Sequence, residues 1–204
     1  MFKPILAVSL VALSACAPEV QSTSGAAYLA QSAIADPDIA RAAAIEPAPL
    51  RFPARIGLIR FVNGSVATLP EAEHDLLIDA LPDSLGTVTQ LGFLEIAMSR
   101  EAQLRSTDAK GIRALAASRH LDYVLVMSLD PYRNTAEALF MDVRTGYPHG
   151  SIETTGKGRG ITNTFGYRPN NPNRINRATL RLTKALKPQL DALANSLLKT
   201  ASGA

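Results

Sequence analysis

The run Ala114-Leu-Ala-Ala-Ser-Arg-His-Leu-Asp-Tyr-Val-Leu-Val-Met-Ser-Leu129 changes character at its middle, and that change decides the fold class. Before His120, Ile112, Leu115, Ala116 and Arg119 recur at helical spacing and mark the packed side of a helix. Ser106-Thr107-Asp108 offers the cap of that helix, and His120-Leu121-Asp122 ends it. From Tyr123 to Leu129 the side chains are apolar except Ser128, which suits the centre of a sheet covered on both faces. A helix delivered into a buried strand points to a sheet with helices packed against it.

Upstream, Arg55-Ile-Gly-Leu-Ile-Arg-Phe-Val62 reads as a mostly buried first strand, followed by the turn signal Asn63-Gly64-Ser65. Thr68-Leu-Pro-Glu-Ala-Glu73 then opens a helix, with Thr68 at the cap and Pro70 in the first turn. The acids Glu71, Glu73 and Asp75 suit the positive end of its dipole, and Leu76, Leu77, Ala80 and Leu81 keep helical spacing up to Pro82. A second strand is expected over 93–98, while 87–91 is ambiguous.

Downstream, Asp130-Pro-Tyr-Arg133 reads as a turn, and 136–143 pairs with 151–162 across Thr145-Gly-Tyr-Pro-His-Gly150 as a β-hairpin. Residues 163–173 form a polar loop. A last helix is expected over 175–198, where Leu182, Leu186, Leu190, Leu193 and Leu197 make one stripe. Pro188 removes one internal hydrogen bond there and predicts a kink near Lys184. The order is β-α-β-α-β-β-β-α, an α/β (α+β) domain with one mixed sheet of about five strands.

Residues 17–53 are rich in Ala, Pro, Ser and Gln, a composition that reads as a flexible tether. The chain therefore divides into a leader at 1–15, a tether at 16–53 and a domain at 54–204. Hydrophobic residues make up 47%, enough for a core, and the absence of Trp makes that core aliphatic. Net charge is +3, and loss of Lys3 with the leader leaves +2, a balance that gives no ground for nucleic-acid binding.

The leader has a basic residue, Lys3, and an apolar stretch over 4–13. That stretch is shorter than the roughly 20 residues that cross a bilayer and matches a cleaved signal peptide. Leu13-Ser14-Ala15-Cys16 resembles a bacterial lipobox, which implies that the Cys16 thiol receives diacylglycerol and becomes the new N-terminus. The alternative is an ordinary secreted chain with an incidental cysteine. Cys16 is the only cysteine, so no disulfide within the chain can use it. Two or three acyl chains anchor a protein stably, because each buried methylene contributes about 0.8 kcal/mol. Ala17 follows the cysteine where an Asp often retains such lipoproteins in the inner membrane, so the resemblance favours the periplasmic face of the outer membrane.

Three stretches carry a wider resemblance: Pro53-Ala-Arg-Ile-Gly-Leu-Ile-Arg-Phe61, Ala114-Leu-Ala-Ala-Ser-Arg-His-Leu-Asp-Tyr-Val-Leu-Val126 and Met141-Asp-Val-Arg-Thr-Gly146. Over about residues 53–160 the chain resembles the rhombotarget-type family of small bacterial lipoproteins. It is more distantly similar to the periplasmic domain of curli-secretion-channel lipoproteins and to lipoprotein activators of penicillin-binding proteins. The resemblance implies an envelope role in assembly, export or regulation, without catalysis.

Residue chemistry points the same way. His74 lies on the polar side of the first helix, His120 at a helix end and His149 in a hairpin turn, and none has a His or Cys at ligand spacing. They read as solvated or capping histidines, and neither a metal nor a cofactor is expected. There is no Gly-x-Ser-x-Gly elbow. Gly156-Lys-Gly-Arg-Gly160 falls short of a phosphate loop: five residues separate Gly150 from Gly156, and Gly158 stands where a hydroxyl is needed. It reads as a strand end. The acids read as surface charges rather than general acid/base partners.

One cluster is basic: Lys157, Arg159, Arg168, Arg174, Arg177, Arg181 and Lys184. The last four are spaced by three and four and share a helix face. That face is either merely solvated or a docking patch for an anionic envelope partner, together with the Tyr167-Arg-Pro-Asn-Asn171 loop. The expected role is a non-catalytic binding module held at the membrane by its N-terminal lipid, its partner an envelope protein or anionic envelope polymer. A subunit of an oligomeric export assembly and an envelope hydrolase without a recognisable motif are the alternatives.

Overall fold

The computed structural model describes residues 49–91, 104–105, 108–157, 161 and 172–203. Cys16, the chain up to residue 48, the strand expected at 93–98, Arg159, Arg168 and the loop over 163–171 lie outside the described residues. The strands are β1 (Ala54–Val62), β2 (Ser65–Val66), β3 (Gly86–Leu91), β4 (Tyr123–Asp130), β5 (Thr135–Asp142) and β6 (Pro148–Thr155). The helices are α1 (Glu71–Ile78), α2 (Ala109–Ser118) and α3 (Pro172–Ala201).

The strands form one six-stranded mixed sheet with the path β2-β1-β4-β5-β6. β4 pairs parallel to β1 and antiparallel to β5, so the apolar run at 123–129 sits in the middle. β3 pairs parallel to β1 over Ala54 to Ile59, and β2 pairs antiparallel at Phe61 and Val62, so these two share β1's other edge. The ambiguous stretch at 87–91 is thus an edge strand, which is why it alternates instead of reading as a continuous apolar run.

Side chains alternate across the sheet and build two cores. Ile56, Leu58, Tyr123, Leu125, Met127, Leu129, Phe140 and Ile152 face α1 and α3. Ile59, Phe61, Val124, Val126, Leu139 and Met141 face α2, which contributes Ala109, Ile112 and Ala116. All five leucines of the predicted stripe on α3 are buried. Gly150 lets that helix approach the sheet, since a Cβ there would stand 2.5 Å from Leu193 Cδ1.

Several local expectations change. α1 starts after Pro70 without a side-chain cap, so Thr68 is not its cap; the Thr68 carbonyl accepts from Arg60 Nη1 at 2.8 Å. The cap of α2 is Asp108, whose carboxylate accepts from Gly111 N at 2.8 Å. Arg119 is exposed and is not part of that helix's packed side, which Ala109, Ile112 and Ala116 make. His120 takes φ 56° at the helix end. The hairpin turns earlier than predicted, so β6 already begins at Pro148. α3 runs through Pro188 as one helix, and Pro188 lies on its exposed side. The turn at Asp130 is as expected: its Oδ1 accepts from Tyr132 N at 2.9 Å and Arg133 N at 2.8 Å.

Candidate basic face on the last helix

α3 carries the leucine stripe on one side and Arg174, Arg177, Arg181 and Lys184 on the other, and all four cations are exposed. Arg177 Nε donates to the Asn173 carbonyl at 3.2 Å. Among the described residues no carboxylate forms an ion pair with any of the four. Their charge is therefore open to solvent and to a partner. Beside Arg177, a groove of ≈ 460 Å³ runs between the starts of α1 and α3, with Pro70, Ala72, Asn176 and Leu180 in its walls. Lys157 is exposed just past the end of β6.

What sets the position of this face is a polar hub beneath it. Arg60 on β1 and Glu73 on α1 are 4% and 1% exposed. Arg60 Nε and Nη2 donate to Glu73 Oε2 and Oε1 at 3.0 and 2.9 Å, a two-pronged ion pair. Thr179 and Thr183, one turn apart on α3, donate their hydroxyls to Oε1 at 2.8 Å and to Oε2 at 3.0 Å. The carboxylate thus accepts four hydrogen bonds from two elements, and the guanidinium satisfies a third acceptor at Thr68. Burying two charges is costly unless every polar atom finds a partner, and here the partners tie α3 to β1 and α1 at one register. Glu73 is therefore neither a surface charge nor a dipole ornament, in contrast to the sequence reading. With both oxygens engaged in the interior it brings strands and helices together. The separations, 13, 106 and 110 residues, are why spacing alone did not reveal it.

The histidines divide. His74 is exposed beside Asp75 at 3.5 Å, and His120 is exposed at the end of α2. His149 is not in a turn: it sits within β6, edge-on to Tyr123 and Tyr147 at 5.8 and 5.1 Å between ring centres. Its Nε2 is buried and finds no hydrogen-bond partner among the described residues. Burial holds its pKa below the ordinary value, with Asp142 pulling the other way. Tyr123 is its counterpart: burial raises the phenol, opposed by the hydrogen bond it accepts from Arg51 N at 3.1 Å. Phe52 and Phe140 complete the ring cluster, which clasps the incoming chain at Leu50 and Phe52 onto the sheet.

Gly156 closes β6 by donating to the Asn134 carbonyl at 2.8 Å, as a strand end does. Among the described residues no three His, Cys, Asp or Glu side chains gather as metal ligands. No helix among them is long and apolar enough to cross a membrane.

No family model and no curated protein matches the chain. Solved structures do. A dodecamer of a PelC variant from Paraburkholderia phytofirmans is 14% identical, covers 71% of this chain and 94% of its own, and has a TM-score of 0.37. The C-terminal domain of LpoB from Salmonella enterica is 16% identical, covers 52% and 83%, and scores 0.33. A lipoprotein from Neisseria meningitidis is 13% identical, covers 74% and 100%, and also scores 0.33. Likeness of this degree assigns this chain neither a role nor a partner.

Proposed function

We propose that the chain is an outer-membrane lipoprotein, anchored through lipid on Cys16, whose periplasmic domain binds an acidic surface of another envelope protein. It acts in assembly, export or regulation and catalyses no reaction. The observation that carries this reading is the row Arg174, Arg177, Arg181 and Lys184, exposed and without carboxylate partners among the described residues. Lys157, Arg159, Arg168 and the Tyr167-Arg-Pro-Asn-Asn171 loop are further contact candidates on the sequence alone. Tethering to a surface raises the effective concentration of both partners, so contacts that are weak in solution suffice.

Crosslinking in intact cells, followed by mass spectrometry of what co-purifies, tests the proposal. Replacing Arg174, Arg177 and Arg181 by Glu should abolish the crosslink to the partner while the domain stays folded. An unchanged crosslink pattern sinks the docking face, and recovery of an anionic polymer instead of a protein replaces the partner class. Cys16→Ser should move the protein from membranes to the soluble periplasmic fraction; retention in membranes overturns the anchor.

A further inference from the structure

A second cation-rich region lies away from α3. At the end of the sheet where β1 and β4 begin, residues 49–53, α2 and the turn after β5 surround an open cleft of ≈ 920 Å³. This is within the roughly 300–1,000 Å³ of small-ligand sites. Lys110, Arg113, Ala114 and Ala117 reach it from one face of α2, and the two alanines are exposed, leaving the helix wall low. Arg51 and Arg144 come from the chain entry and the turn.

The charge in this cleft is unbalanced. Arg113 Nε donates to the Val143 carbonyl at 3.0 Å and Nη2 to the Arg144 carbonyl at 2.6 Å. The guanidinium is thus fixed by neutral acceptors and keeps its whole charge. Gly146 makes room for it: φ is +78°, and a Cβ would stand 2.9 Å from Nη1. The lining also holds two carboxylates, Asp122 and Asp142, so its four cations leave a net charge of +2. Asp122 Oδ2 accepts from Arg55 N at 2.9 Å and lies 3.6 Å from its Nε. Asp142 Oδ1 accepts from Thr145 N at 2.6 Å and from its hydroxyl at 3.0 Å. Among the described residues none of Arg51, Lys110, Arg113 and Arg144 has an ion-pair partner. Four cations facing one cavity repel one another and attract an anion, and the low apolar walls at Pro49, Pro53 and Leu121 suit a carbon skeleton behind it.

We propose that this cleft is a binding site for a phosphate or carboxylate group carried on an organic ligand, with Arg113 as the fixed cation and Arg51 and Lys110 closing on it from opposite walls. The site is separate from the α3 face and does not depend on the role proposed for it.

The test is isothermal titration at low salt of the full chain carrying Cys16→Ser, using three probes. These are sodium pyrophosphate, trigalacturonate, and vesicles of phosphatidylglycerol in phosphatidylcholine. Saturable binding of at least one probe, weakening as salt rises, is the expected result. Binding of vesicles alone identifies a lipid head group as the source of the anion; binding of either small probe identifies a soluble one. Arg51→Gln with Lys110→Gln should weaken the interaction about ten-fold, roughly 1.4 kcal/mol. Both side chains are exposed, so the thermal midpoint should not move. Arg174→Gln with Arg177→Gln and Arg181→Gln should leave binding unchanged. The site is refuted if no probe binds at millimolar concentration, or if the α3 variant loses binding while the cleft variant keeps it.

Discussion

The two faces of the sheet bury their helices by different means. Against α2 the contact is apolar throughout, with Ile59, Phe61, Val124, Val126 and Met141 meeting Ala109, Ile112 and Ala116. Against α1 and α3 a hydrophobic layer surrounds a fully bonded ion pair, and a ring cluster holds a half-buried histidine. Apolar contact is nearly free of direction, so it tolerates small shifts of the helix along the sheet. Hydrogen bonds from Thr179 and Thr183 to one carboxylate allow one register only. The helix that carries the row of exposed cations is the one fixed by the polar hub.

Breaking the hub should be the most damaging single change. Glu73→Ala leaves a guanidinium buried with its two charged contacts gone, an expected loss of about 3–5 kcal/mol in urea unfolding. Replacing Arg60, Glu73, Thr179 and Thr183 together by apolar residues of similar volume should recover most of that stability. If Glu73→Ala costs less than about 1 kcal/mol, the hub is not what holds α3. On the other face Ile112→Ala should cost about 2–5 kcal/mol through the cavity it leaves, and should leave the environment of α3's amides unchanged by NMR.

The ring cluster adds a pH dependence that the apolar face lacks. His149 has a lowered pKa in the fold, so the unfolded chain binds its proton first as pH falls. Stability from this group is complete above about pH 6.5, the ordinary histidine value, and declines as pH drops from there toward the folded pKa. His149→Phe should flatten that acid limb in denaturation measured from pH 8 to pH 5; an unchanged slope removes His149 as its source. Tyr123, raised by burial, should act at the other extreme, destabilising the fold only as pH climbs past about 10. The smallest effect is expected at the surface: Arg174, Arg177 and Arg181 to Glu should change stability by no more than about 0.5 kcal/mol each. A larger loss would mean that these side chains are structural.

Much of this comparison was readable in advance wherever neighbours in sequence are neighbours in space. The apolar run at 123–129, the five leucines of α3, the Asp108 cap and the Asp130 turn all declare themselves within a few residues. His149 was misplaced because Thr145-Gly-Tyr-Pro-His-Gly150 reads as one long turn, whereas pairing of Pro148 with Met141 brings its second half into the sheet. Glu73 was misread because its surroundings on α1 match any acidic first turn. Its real partners come from β1 and from the far end of the chain.

By itself, then, the sequence determined the central strand and the amphipathic last helix with its cationic side, because each is a local pattern of polarity. Only the tertiary structure decided which charges are buried and which are free. Glu73 and Arg60 neutralise each other in the interior, while Arg51, Lys110, Arg113 and Arg144 gather around one cleft from three separate segments. Charge pairing depends on distances of a few ångströms across the fold, and residues this far apart along the chain do not encode those distances in any local pattern.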